Sequence, residues 1–168
     1  MTDKQRELID QIMVNSITEE YFLQNFGGDI LNNEEYIVNL LEVAYDEKNC
    51  DDIEYLMEIS FGFDIITEKY FGILCKLMTE PWHNQHENFA GIFQDFRYEK
   101  SVECLYEAAV TEFEYLNYDD NYVLAVKCIW ALAYINTDEA REKLKLLAQS
   151  NNEIIRENAL KQLSRNRI

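Results

Sequence analysis

Two histidines and four cysteines are the residues best suited to chemistry in this chain. His83 and His86 lie three apart between Glu80 and Glu87, and with Cys75 upstream they offer three donors of the kind a zinc ion takes. The spacing, however, is not a recurring zinc-ligand pattern, and Pro81 and Trp82 interrupt it. The histidines read instead as the solvated start of a helix, and no metal or cofactor is expected. Cys50, Cys75, Cys104 and Cys128 form no C-x-x-C pair and mostly sit among apolar neighbours, which suits reduced, buried thiols. No Gly-x-Ser-x-Gly turn and no phosphate-cradling glycine loop occurs, so catalysis is not expected.

The other conspicuous side chains are acids. The 168 residues include 32 acidic and 15 basic side chains, a net charge of −17, and at 48% apolar content the chain is too hydrophobic to be disordered. Such a field repels phosphate backbones and anionic head groups, so nucleic acid and membranes are poor direct ligands and a basic protein is the natural partner. Asp46, Glu47, Asp51, Asp52, Glu54 and Glu58 form one cluster. Glu112, Glu114, Asp119 and Asp120 form a second, interleaved with Tyr106, Tyr115, Tyr118 and Tyr122. Each overlaps a junction between two expected helices. Acids at helix ends serve solubility and the helix dipole. An acidic, aromatic face also suits a cationic partner, with Tyr supplying contact area and carboxylates accepting Arg forks. Residues 1–136 hold 8 basic and 27 acidic side chains, a balance of −19, whereas residues 137–168 hold seven basic and five acidic, a balance of +2.

These side chains must be carried by helices. Apolar residues recur at spacings of three and four throughout, strict alternation is rare, and one proline and five glycines leave few breakers, which predicts an all-α fold. About nine or ten helices are expected in a single domain, with Thr2 or Asp3, Thr18 and Asn33 as caps, Asp51 opening a helix through Phe61, and Pro81 closing one begun at Thr67. One helix is expected from Val102 to Phe113, and a turn at Asn136 and Thr137 separates two more. No apolar run reaches about 18 residues and the start lacks a signal-peptide core, so a cytoplasmic location is expected.

The last third is self-similar. Val123, Leu124, Cys128, Ile129 and Leu132 align on Ile154, Ile155, Ala159, Leu160 and Leu163 at an offset of 31, and Phe89, Phe93, Phe96 and Leu105 on Cys128, Leu132, Ile135 and Leu144 at 39. Those offsets suit a helix-pair repeat. The stretch from Asn151 to Leu163, with its polar turn, paired aliphatics, Arg156 and Ala-Leu-x-x-Leu ending, resembles the first helix of a HEAT repeat, and Thr137 to Ala148 resembles the second helix of the preceding one. The likeness weakens from Phe89 to Ser150, and residues 1–80 show only irregular helix pairs. The resemblance implies a short α-solenoid that serves as a binding scaffold.

HEAT-like enzymes fit less well. The di-iron hydroxylases carry several His-Glu pairs and this chain has only His86-Glu87, while the DNA glycosylases need a basic groove where this chain is acidic. The expectation is a non-enzymatic protein-binding module, most specifically a bacterial immunity protein that covers the cationic cleft of a nuclease-type toxin. A structural adaptor in a larger complex, and a metal-dependent enzyme using His83 and His86, are the alternatives.

Overall fold

Short polar side chains set where the helices begin. The computed structural model describes residues 1–165, over which ten α-helices and three 3₁₀ turns run without a strand. The all-α class expected from apolar spacing is the class observed. No helix among the described residues is long and apolar enough to cross a membrane. The chain divides into two compact units at Ile73 and Leu74, a little before Pro81. Arg167, one of the seven C-terminal cations, lies outside the described residues.

The first unit holds α1 (Asp3–Met13), α2 (Glu19–Asn25), α3 (Glu34–Glu47), α4 (Cys50–Gly62) and a 3₁₀ turn at Glu68–Tyr70. Thr2 opens α1 with a capping box: its hydroxyl accepts from the Gln5 amide while the Gln5 side chain accepts from the Thr2 amide. Thr18 and Asn33 cap α2 and α3 as their types predict. The next cap is Asn49 rather than Asp51, because the Asn49 side chain accepts from the Asp52 amide and starts α4 at Cys50. Helix α1 packs on α2 and α4, and α3 packs on α4. Ile9, Phe22, Ile37, Leu41 and Leu56 are buried on these helices, and Phe26 is buried just after α2. Phe22 stacks on both Phe26 and Phe63, with ring centroids 4.9 and 5.4 Å away.

Helix α5 (Phe71–Leu77) runs across the division, and the second unit continues with α6 (His86–Phe96), α7 (Val102–Val110), α8 (Val123–Ile135), α9 (Asp138–Leu147) and α10 (Glu153–Arg165). Helix α8 is apolar almost all round and touches α6, α7, α9 and α10. Helix α9 in turn touches α7 and α10, so neighbours in sequence and next-but-one neighbours pack together, as in stacked helix pairs. The internal alignment is visible in burial. Leu124 and Cys128 on α8 match Ile155 and Ala159 on α10, and all four are buried. Ile129 is buried whereas its counterpart Leu160 is half exposed, since α10 is the last described helix.

One expected element is shorter than its apolar pattern. Helix α7 ends at Val110, and Thr111 leaves in an extended conformation. Phe113, expected at the helix end, is buried in the loop with its ring 4.1 Å from that of His86.

Candidate functional site

The first acidic cluster separates by helical phase. Asp51 and Asp52 lie in the first turn of α4, where free amide groups and the helix dipole favour negative charge. Asp52 turns inward and is fully buried, accepting from Arg6 Nε at 2.7 Å, from the second Arg6 terminal nitrogen at 3.0 Å and from the Met1 amine at 2.8 Å. Burial disfavours its ionised form, but these hydrogen bonds and charges prevail and hold the carboxyl below the usual range. Asp52 is therefore a structural ion-pair residue and is withdrawn from the accessible acidic face.

Asp51, Glu54 and Glu58 follow at spacings of three and four and share the outer side of α4. With Asp10, Met13 and Val14 at the end of α1 they border a cleft of about 610 Å³. The Tyr55 hydroxyl donates to Asp10 at 2.9 Å and ties the two walls together. Met13 and Val14 are 51% and 73% exposed, so the cleft combines apolar surface with four carboxylates. None of the four carboxylates forms an ion pair among the described residues. Glu58 registers the crowding: burial first, then the charges of Glu54 and Asp10, push its carboxyl above the usual range. Asp46 and Glu47 are exposed at the end of α3 and do not line this cleft.

The second cluster occupies the loop from Thr111 to Tyr122, between α7 and α8. Glu112, Asp119, Asp120 and Tyr122 rim a smaller cleft of about 240 Å³ floored by Phe113 and Leu116. Asp119 has a local task, because its carboxylate accepts from the Asn121 amide at 3.0 Å and from the Val123 amide at 2.6 Å, the first amide of α8. Glu114 is exposed on the 3₁₀ turn Glu114–Leu116, Tyr118 is 81% exposed, and Tyr122 is 43% exposed. Tyr115 points the other way, half-buried, with its hydroxyl 2.9 Å from His86 Nδ1.

That contact corrects the expectation of solvated histidines. His83 and His86 are 4% and 0% exposed, and their rings stack at 4.2 Å. Each ring nitrogen is committed. His83 Nε2 meets the Leu77 carbonyl at 2.8 Å, and His83 Nδ1 accepts from the Gln85 amide at 3.1 Å. His86 Nε2 meets the Glu80 carbonyl at 2.9 Å, which leaves Nδ1 to accept from Tyr115. Carbonyls only accept, so each Nε2 carries a proton and serves a carbonyl, at the end of α5 or in the Pro81 turn; His83 Nδ1 accepts an amide hydrogen, which makes that imidazole neutral, and burial holds His86 neutral as well. Burial, and for His86 the neighbouring His83, lowers both pKa values, to about 3 for His86. No group of three His, Cys, Asp or Glu side chains fit to hold a metal occurs among the described residues.

The cysteines also depart in part from the expectation. Cys104 and Cys128 are buried and Cys75 is partly so, but Cys50 is exposed at the first position of α4. Asp10, Met13, Val14 and Tyr55 were absent from the sequence-derived site. Asp10 stands 45 positions from Tyr55, and no local pattern signals that pairing. Compared with protein-family models, curated proteins and solved structures, the chain matches none.

Proposed function

We propose that this protein is a non-enzymatic binding module whose acidic cleft between α1 and α4 takes a cationic segment of a protein partner. The observation that carries the reading is geometric: Asp10, Asp51, Glu54 and Glu58 border one solvent-open cleft beside the exposed Met13 and Val14, and none of the four forms an ion pair among the described residues. A Lys or Arg side chain would lay its aliphatic stem on Met13 and Val14 and place its cation among Asp10, Asp51, Glu54 and Glu58. The net charge of −17 would speed the approach of such a partner and raise the salt sensitivity of the encounter. In its sharper form the partner is a nuclease-type toxin, neutralised because the carboxylates occupy the Lys and Arg residues that would hold nucleic-acid phosphates.

The HEAT-like character supports a scaffold of this kind. Its support lies in the packing of α6 to α10 and in the turn before α10, where Arg156 donates to the Ser150 carbonyl at 2.9 Å and Asn152 accepts from the Ile155 amide at 3.2 Å. A structural adaptor would use the same surface. A gene for a cationic nuclease immediately upstream would favour neutralisation. The third alternative, a metal enzyme using His83 and His86, has the least support, since all four ring nitrogens already have partners.

The test is titration with a fluorescent arginine-rich peptide and with a cationic nuclease domain, at low and moderate salt. Binding should weaken with salt, and the combined substitution D51K/E54K/E58K should reduce it by at least about tenfold, the loss expected from roughly 1.4 kcal/mol of charge complementarity. Asp52 and Asp119 are unsuited to charge reversal, because one is a buried ion-pair partner and the other caps α8. Affinity indifferent to both salt and these substitutions would overturn the reading.

A further inference from the structure

Helices α5 and α7 bring two thiols together that the binding surface does not use. Cys104 Sγ–H donates to Cys75 Sγ at 3.0 Å, about 1 Å longer than the ~2.05 Å of a disulfide bond. Both residues belong to the second unit, and their positions are fixed from each side. Cys104 is buried and also contacts the Ser101 carbonyl at 3.3 Å, while Cys75 is only partly buried and reachable from solvent. The remaining cysteines differ. Cys128 is fully buried, and Cys50 is exposed in the first unit.

We propose that Cys75 and Cys104 are a thiol pair that closes into a reversible disulfide when the protein meets a peroxide. Cys75 is the attacking sulfur, because it is the less buried member and lies 3.0 Å from the Cys104 thiol, which has Cys75 Sγ and the Ser101 carbonyl as its two acceptors. The donated hydrogen bond favours its thiolate, while Cys75 and burial raise the pKa of Cys104. The Cys75 sulfur attacks one oxygen of hydrogen peroxide, the O–O bond breaks, and the first water leaves with the thiol proton, giving a sulfenic acid. The Cys104 sulfur then attacks Cys75 Sγ, the S–O bond breaks, the S–S bond forms, and the Cys104 proton leaves with the hydroxide as a second water. Two thiols lose two electrons in total, and one peroxide becomes two waters. The bridge would join residues 29 positions apart and tie α5 to α7 across α6.

The test is peptide mapping of the full chain. Reduced protein is treated with hydrogen peroxide, its free thiols are alkylated, and the digest is examined without reductant. The expected product is one peptide pair joining Cys75 to Cys104, two hydrogens lighter than the reduced sum, formed at a rate independent of protein concentration. Closing the loop should raise Tm by roughly 5–10 °C, and dithiothreitol should reverse the shift. Cys50→Ser should leave the product intact, and Cys104→Ser should leave Cys75 as a sulfenic acid that dimedone traps. Sulfinic acid accumulating on Cys75 of the unaltered protein, Cys50-linked dimers as the main product, or an unreacted Cys75 would each overturn the proposal. The peptide map of the unaltered protein distinguishes these products even where a variant fails to fold.

Discussion

His86 shows how burial and hydrogen bonding set the charge of a single side chain. In the unfolded chain its pKa is the ordinary 6.5, and in the fold burial and His83 lower it to about 3. Between those values the unfolded state binds a proton that the folded state refuses. The stabilisation is therefore full above pH 6.5 and lost as pH falls toward 3, at up to about 1.4 kcal/mol per pH unit. His83 acts in the same direction. Urea unfolding at pH 7 and pH 5 should show this loss, and His86→Gln should flatten the dependence; equal slopes for the two proteins would count against the neutral-imidazole network. Asp52 makes a second residue-scale prediction. Replacing it with Ala takes the carboxylate from the buried Met1 amine and from Arg6, which keeps only its exposed contact with Asp3, so urea unfolding should show a loss of about 3 kcal/mol. Neither outcome is legible in sequence. Asp51 and Asp52 are chemically alike, and only the helical phase of α4 against α1 sends one to solvent and the other to Arg6.

At the scale of elements, the caps were readable and the ends of irregular segments were not. Thr2, Thr18 and Asn33 have side chains that satisfy free amides within a few residues, so local chemistry settles their roles, and Thr137, read from sequence only as part of a turn, caps α9 in the same way. The stop of α7 at Val110 depends instead on Phe113 finding a buried place against His86, 27 positions earlier, which no helical periodicity reveals. Gly28 is a similar case. The Tyr36 ring packs where a Cβ of residue 28 would stand, and the Tyr36 hydroxyl is held by the Gln5 side chain at 3.0 Å. Gly28→Ala should therefore cost about 1–3 kcal/mol, the range for forcing an extra methyl into packed space. Thermal unfolding checks this, and an unchanged Tm would show that the Tyr36 ring yields freely.

For the whole molecule, charge has opposite consequences for folding and for binding. A net charge of −17 repels itself within the folded chain, so raising NaCl from about 20 to 300 mM should raise Tm as screening shortens the reach of that repulsion. The same salt should weaken capture of a cationic peptide by the α1–α4 cleft. A Tm that falls with salt would mean that exposed ion pairs such as Lys143–Glu103 and Lys127–Glu87 outweigh the repulsion. The sequence by itself determined the all-helical class, most helix starts, the pairing pattern of the last third and the excess of negative charge, because each follows from interactions within a few residues or from simple counting. Only the tertiary structure decided which acids face solvent, that Met13, Val14 and Asp10 complete a cleft with α4, that both histidines are buried and neutral, and that Cys75 lies against Cys104. Those properties depend on which faces of distant helices meet, and burial and pairing, rather than residue type, determine what an aspartate, a histidine or a cysteine does there.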